Sequence, residues 1–322
     1  MNYNVLIENI TNPALLFFVL GIVAVYLKSD LMIPENSSKF ISLYLLFAIG
    51  FKGGQELAHE TFNTEIAWSM LFGIALSFLV PLYTFFILRT RLSVYDAGAI
   101  AAAYGSVSAV TFVTAVSYLE AHQLNLNGHM VAIMALMESP AIIIGLILIS
   151  RFNKEESETI SKRSVLRHSL TNGSVLLILG SLLIGFIADT KQAEGIKPFT
   201  NDLFKGFLAI FLLDMGISSG KKMKAFFSFG WFPFLFAFII PLVNGCITAY
   251  ISGYVTPDIS NRFIFAVLAA SASYIAVPAA MKISAPKANA GLFLPMALAV
   301  TFPVNITIGI PLYFAIIQGS IT

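Results

Sequence analysis

The chain has 322 residues, 57% of them hydrophobic and 11% charged, with a formal net charge of +2. A soluble globular domain carries about 25% charged residues, so the composition excludes that class and places the chain among multi-pass membrane proteins. The basic residues are dispersed through loops, which excludes a nucleic-acid surface, and the single Cys246 excludes an intrachain disulfide or a cysteine-rich metal cluster.

Met1 to Asn12 have no basic n-region and include Glu8, so the first apolar run is expected to be retained rather than cleaved. Apolar runs of bilayer-crossing length follow at 11–27, 39–55, 67–88, 97–119, 129–150, 170–188, 202–220, 226–252, 262–283 and 289–317. Only the stretch from Arg151 to His168 is long and densely charged, and it divides the runs into two groups of five. The expected fold is therefore an all-α polytopic membrane protein: a first repeat over 1–150, a cytoplasmic linker over 151–168 and a second repeat over 169–322.

The halves match in chain order. Thr11-Asn12 opens span 1 as Thr171-Asn172 opens span 6, and Phe78-Leu79-Val80-Pro81-Leu82 in span 3 returns as Phe238-Ile239-Ile240-Pro241-Leu242 in span 8, an offset of 160. Gly50-Phe51-Lys52-Gly53-Gly54 in span 2 aligns with Gly216-Ile217-Ser218-Ser219-Gly220 in span 7, an offset of 166. Because five is odd, the second half enters the bilayer from the opposite side, giving an inverted repeat about an axis in the membrane plane. Of the 19 Lys and Arg residues, 14 fall on the face that holds the linker. The positive-inside rule puts that face in the cytoplasm and both termini outside.

Spans 4 and 9 each carry Ser-x-Ser in an otherwise membrane-grade segment: Tyr104-Gly105-Ser106-Val107-Ser108-Ala109-Val110-Thr111, and Ala269-Ala270-Ser271-Ala272-Ser273 followed by Pro278. Such patterns mark helices broken at mid-bilayer, where the restarting half exposes N–H groups to an anion and the ending half offers carbonyls to a cation. Small residues also permit tight helix packing, with serines bonding back one turn, and that reading stays open. No Lys or Arg is expected at the midplane, so an anion there must be held by dipoles, hydroxyls or a co-bound cation. Two acids lie within apolar runs, Glu138 and Asp214. Each needs a cation, a proton or a neighbouring helix as partner, and carboxylate, carbonyl and hydroxyl oxygens together suit sodium. Asn244, Asn305, Thr301 and Thr307 read as helix-to-helix hydrogen bonds. His59, His122, His129 and His168 are scattered near span ends, and neither a nucleophile elbow nor a phosphate-cradling loop is present, so the chain is not expected to be an enzyme or an ATP-driven pump.

Asn12-Pro13-Ala14-Leu15, the span 2 ending Leu46-Phe47-Ala48-Ile49-Gly50-Phe51-Lys52-Gly53-Gly54, the two Ser-x-Ser breaks and the Glu138-x-Pro140 signature together resemble the sodium-dependent bicarbonate transporter family of cyanobacteria and other bacteria. The resemblance implies a bacterial inner-membrane symporter, a core domain with crossed spans 4 and 9, a scaffold domain, a homotrimer, and bicarbonate carried with sodium ion by elevator-like alternating access. Carried onto this chain, it implies anion binding at Gly105, Ser106, Ser108, Thr111, Ser271 and Ser273, and sodium at Glu138, Ser108 and Ser273, with Asp214 as a further candidate. A PII-like cytoplasmic regulator is also implied by the family, although the linker here is short. The chain departs from the family pattern in having Glu138 for an Asp, Ser108-Ala109-Val110-Thr111 for Ser-Gly-Ser-Thr, and Ser273-Tyr274-Ile275-Ala276-Val277-Pro278 for Ser-Asp-x-Ser-Gly-Pro. A carrier of another small organic carboxylate and a non-transporting membrane sensor are the alternative readings.

Overall fold

The computed structural model describes residues 13–153 and 173–320. The Thr11-Asn12 and Thr171-Asn172 openings and most of the expected linker lie outside the described residues, which are all-helical with no strand. In chain order the helices are α1 (Pro13–Tyr26), α2 (Glu35–His59), α3 (Thr64–Leu88), α4 (Val94–Gly105), α5 (Ala109–Ala121) and α6 (His129–Phe152). They continue as α7 (Gly173–Ile187), α8 (Thr190–Lys197), α9 (Phe204–Phe226), α10 (Trp231–Ile251), α11 (Ile259–Ala270) and α12 (Ala276–Ser284). The last, α13 (Ala290–Gly319), passes through two π-helical turns, Met296–Thr301 and Asn305–Gly309.

Six stretches are long and apolar enough to cross a membrane: Thr64–Leu88, Val94–Ala121, His129–Phe152, Thr190–Met223, Trp231–Tyr254 and Ala290–Gly319. Leu16–Tyr26, Leu176–Ile187 and Ile259–Ala270 are shorter apolar helices, and α2 has 25 residues but carries Glu35, Lys39, Lys52 and Glu56. Leu79 and Phe86 on α3 and Leu235 and Ile247 on α10 are among many large apolar side chains exposed on the outer faces. Surface of that kind calls for lipid rather than water.

The structure redraws two boundaries. α8 occupies what the sequence leaves as a loop, because Asp189 and Gln192 close a capping box around a segment too short and too polar to read as a span. α9 runs through Lys221 and Lys222 to Phe226, beyond the expected end at 220. The chain then turns at Gly230, whose φ of 87° suits a residue without a Cβ, and α10 starts at Trp231.

Packing sorts the helices into two bundles. In the first, α1 lies against α9 and α2 against α7, with α9 also touching α2. Both close pairs meet at glycines. A Cβ on Gly21 would come 2.8 Å from the Ile217 nitrogen and 3.0 Å from the Gly216 Cα, and one on Gly54 would come 2.7 Å from the Phe186 nitrogen and 2.9 Å from the Gly185 Cα. In the second bundle α3 packs on α4 and α6, and α4 on α6, while α10 packs on α11 and α13, and α11 on α13. Fewer contacts join the bundles, chiefly α9 with α13, α6 with α7 and α2 with α5 and α6.

Candidate functional site

α4 and α11 have 12 residues each. At a rise of about 1.5 Å per residue each spans about 18 Å, half to two-thirds of a bilayer core. Serine ends both. After Gly105 the chain turns extended at Ser106 (φ −80°, ψ −175°) and resumes as α5 once the Ser108 hydroxyl accepts the Thr111 N–H at 3.2 Å. After Ala270 it turns extended at Ser271 (φ −83°, ψ 166°) and resumes as α12, where the Ser273 hydroxyl accepts the Val277 N–H at 3.4 Å. Pro278 sits in the first turn of α12, where its missing N–H leaves no internal bond unmade.

The two breaks bond to each other. The Ser108 N–H donates to the Ser271 hydroxyl at 3.0 Å, and the Ser273 N–H donates to the Ala103 carbonyl at 2.8 Å. Ser271 in turn donates to the Leu268 carbonyl at 2.9 Å. Polar side chains of the π-helical turns in α13 brace the ends of both half-helices. Thr301 pairs with the Tyr104 hydroxyl at 2.7 Å and donates to the Ala237 carbonyl. Asn305 donates to the Ala270 carbonyl at 2.7 Å and accepts from Tyr313. π-helical turns inside α-helices recur at functional sites.

These contacts enclose a small cavity lined by Ser108, Ala109, Glu138, Ser273, Tyr274 and Ala276, with Val107, Met134 and Ile275 beside them and Leu46 and Ile178 opposite. Its open volume is about 20 Å³, room for one water-sized occupant. Leu46 and Ile178 belong to the first bundle, and Met134 and Glu138 to α6 of the second. The other lining residues belong to the breaks leading into α5 and α12, which pack on α11 and on α4 and α6 of the second, so the cavity lies on the seam between bundles. Glu138 makes no hydrogen bond or ion pair with any described residue. Its helix, α6, is fixed at its start by Glu60, whose carboxylate accepts the Gly128 N–H at 2.6 Å and lies 2.7 Å from His129 Nδ1. Burial pushes the Glu60 carboxyl up, but His129 and the nearby amides outweigh it and hold the group below its ordinary value.

Of the expected site residues, Ser108, Ser273 and Glu138 come together in this cavity. Gly105, Ser106, Thr111 and Ser271 are buried behind it. Gly105 meets the Pro81 ring, which a Cβ would overlap, and the Ser106 hydroxyl is buried without a hydrogen-bond partner among the described residues. Asp214 stands apart from the cavity lining, accepting a hydrogen bond from Ser38 of α2. Asn244 accepts from Tyr83, so the polar residues at depth do bridge helices, apart from Thr307, which bonds back within its own helix. Tyr274 has a larger part than its sequence position indicates. Its hydroxyl is within bonding reach of Ser108 and 3.7 Å from the Met215 sulfur on α9, so one side chain spans the seam. The apolar walls Leu46, Met134 and Ile178 carry no signal in the sequence that separates them from other core residues.

Ser271→Ala is expected to leave the buried Ser108 N–H without its acceptor, at a cost of about 1–3 kcal/mol. A lowered melting temperature in detergent would register it, and an unchanged one would mean that the bond does not hold the breaks together.

A family model described as the Na+-dependent bicarbonate transporter superfamily matches residues 13–318. No curated protein matches the chain.

Proposed function

The chain belongs to the Na+-dependent bicarbonate transporter superfamily, and on that premise we propose that it carries bicarbonate, or a similar small anion, into a bacterial cell together with sodium. The family is one of transporters, and the chain is not an enzyme. One observation carries the reading: two helix breaks hydrogen-bonded to each other and a carboxylate face a single cavity on the seam between two bundles. Glu138, with the Ser108 and Ser273 hydroxyls, forms a hard-oxygen set for sodium. The first turns of α5 and α12 supply N–H groups that have no intrahelical acceptor, and their dipoles favour an anion. The sodium charge beside the anion offsets the cost of holding it without a lysine or arginine.

The proposed topology is ten spans in two inverted repeats over 1–150 and 169–322, joined by a cytoplasmic linker, with both termini outside. Helix packing supports it: exchanging the halves turns the α1–α9 pair into the α7–α2 pair, and the α3–α4 pair into the α10–α11 pair. The first exchange matches Gly21 with Gly185 and Gly54 with Gly216, offsets of 164 and 162, which moves the Gly54–Gly220 alignment read from the sequence by four residues, about one helical turn. We take α1, α2, α7 and α9 as the scaffold and the second bundle as the moving core, assembled as a homotrimer. The cavity of about 20 Å³ has room for one water-sized occupant, so binding of a carbon with three oxygens is expected to need a relative movement of core and scaffold.

Uptake of radiolabelled bicarbonate into proteoliposomes, with and without an inward sodium gradient, tests this function. Accumulation that ignores sodium would overturn the coupling, and binding with no accumulation would favour a sensor. Tyr274 is the largest side chain lining the cavity and sets its size. Tyr274→Ala is therefore expected to let acetate and larger monocarboxylates compete with bicarbonate, whereas wild type resists them. Identical competition profiles would remove Tyr274 as the size filter.

A further inference from the structure

A second, much larger cavity of about 490 Å³ lies between α2, the end of α5 and residues 200–205. Its charged lining residues are Lys52, Lys205, Glu120 and Asp202, accompanied by Gln123, Asn125, Thr200 and Asn201. We infer that this cavity is a capture site for small oxyanions, in which Lys52 is the cationic centre and Glu120 is the internal stand-in that an arriving anion displaces. The inference rests on the transport reading above, because the positive-inside orientation makes this face the outer one.

Position is the first argument. On α2, Leu46 lines the small cavity while Ala48, Ile49 and Lys52 line the large one; on α5, Ala109 lines the small cavity and Val116 and Glu120 the large one. At a helical rise of about 1.5 Å per residue, Lys52 lies roughly 9 Å beyond Leu46 and Val116 roughly 10 Å beyond Ala109. The large cavity therefore follows the small one along the same seam, with the turns of α5 that carry buried Phe112 and Val113 between them.

Electrostatics is the second. Lys52 is ion-paired with Glu120, and the two side chains are 32% and 25% exposed. A pair as open to water as this one is held by no more than about a fivefold preference over separated partners, so a dissolved oxyanion reaching the cavity replaces the carboxylate at little cost. Lys52 lies on α2 of the first bundle and Glu120 on α5, which packs on α11 of the second. Replacement of Glu120 therefore removes an ion pair that links scaffold and core, and capture loosens the outer end of the seam.

The test is initial-rate uptake against bicarbonate concentration for Lys52→Gln, Glu120→Gln and the double variant. Lys52→Gln is expected to raise KM roughly fivefold with kcat nearly unchanged, and Glu120→Gln to lower KM, because it frees the lysine. The double variant should behave as Lys52→Gln. If the pair were only structural, both single variants would shift KM in the same direction; that result, or no shift in either, overturns the proposal. Calorimetric titration of detergent-purified protein with bicarbonate, formate and nitrate reads binding independently of transport. Lys52→Gln should weaken one of the binding events about fivefold relative to wild type, and unchanged affinities overturn the capture site. Failure of wild type to take up bicarbonate would instead strike the transport reading and leave this binding comparison standing.

Discussion

Glu138→Gln is expected to suppress accumulation of bicarbonate at sodium concentrations that saturate wild type, while leaving the protein folded. The substitution keeps the shape of the side chain, and Glu138 makes no hydrogen bond or ion pair with described residues, so no internal contact is broken. What disappears is the charge facing the cavity. A charge-assisted contact contributes about 1.5–3 kcal/mol, so sodium affinity should fall roughly ten- to hundredfold. Uptake measured across a range of sodium concentrations, with a melting curve in detergent as the folding control, gives the readout. A sodium response equal to that of wild type would remove Glu138 from the coupling site. Uptake driven by a proton gradient at equal sodium, lost in the variant, would mean that the carboxylate carries a proton instead.

Gly54→Leu is expected to destabilise the first bundle strongly. A Cβ at this position would overlap the Leu182 carbonyl oxygen and crowd the Phe186 nitrogen and the Gly185 Cα. All three are backbone atoms, so no rotamer change relieves the clash, and α2 must move away from α7. Forced overpacking costs about 1–3 kcal/mol and sometimes more. Gly180→Leu on α7 is the control, because nothing lies within 4 Å of the Cβ it would add. Comparable melting temperatures and monodispersity for the two variants would contradict the close-packing role.

Both predictions depend on features that differ in how far the sequence exposes them. The break positions were legible, because a serine that interrupts a helix does so through bonds to its own neighbours, such as Ser108 to the Thr111 N–H. The role of each hydroxyl was not legible. Ser271 and Ser273 look alike in the chain, yet Ser271 is taken up by the Ser108 N–H and the Leu268 carbonyl, while Ser273 lines the cavity. Asp214 and Glu138 likewise look alike as acids in apolar runs, but Ser38 bonds the first and the cavity receives the second. Lys52 reads as a charge near the end of a span until Glu120 is seen beside it.

By itself the sequence determined the membrane class, the apolar runs and the places where two helices break, since hydropathy and capping act over one or two turns of chain. Only the tertiary structure decided which polar groups are paired and which face open space. The contacts that make the difference join residues 163 apart for Ser108 and Ser271, 176 apart for Ser38 and Asp214, and 68 apart for Lys52 and Glu120. Local patterning sets where a helix stops, whereas the partner that reaches a given side chain is set by how the helices pack.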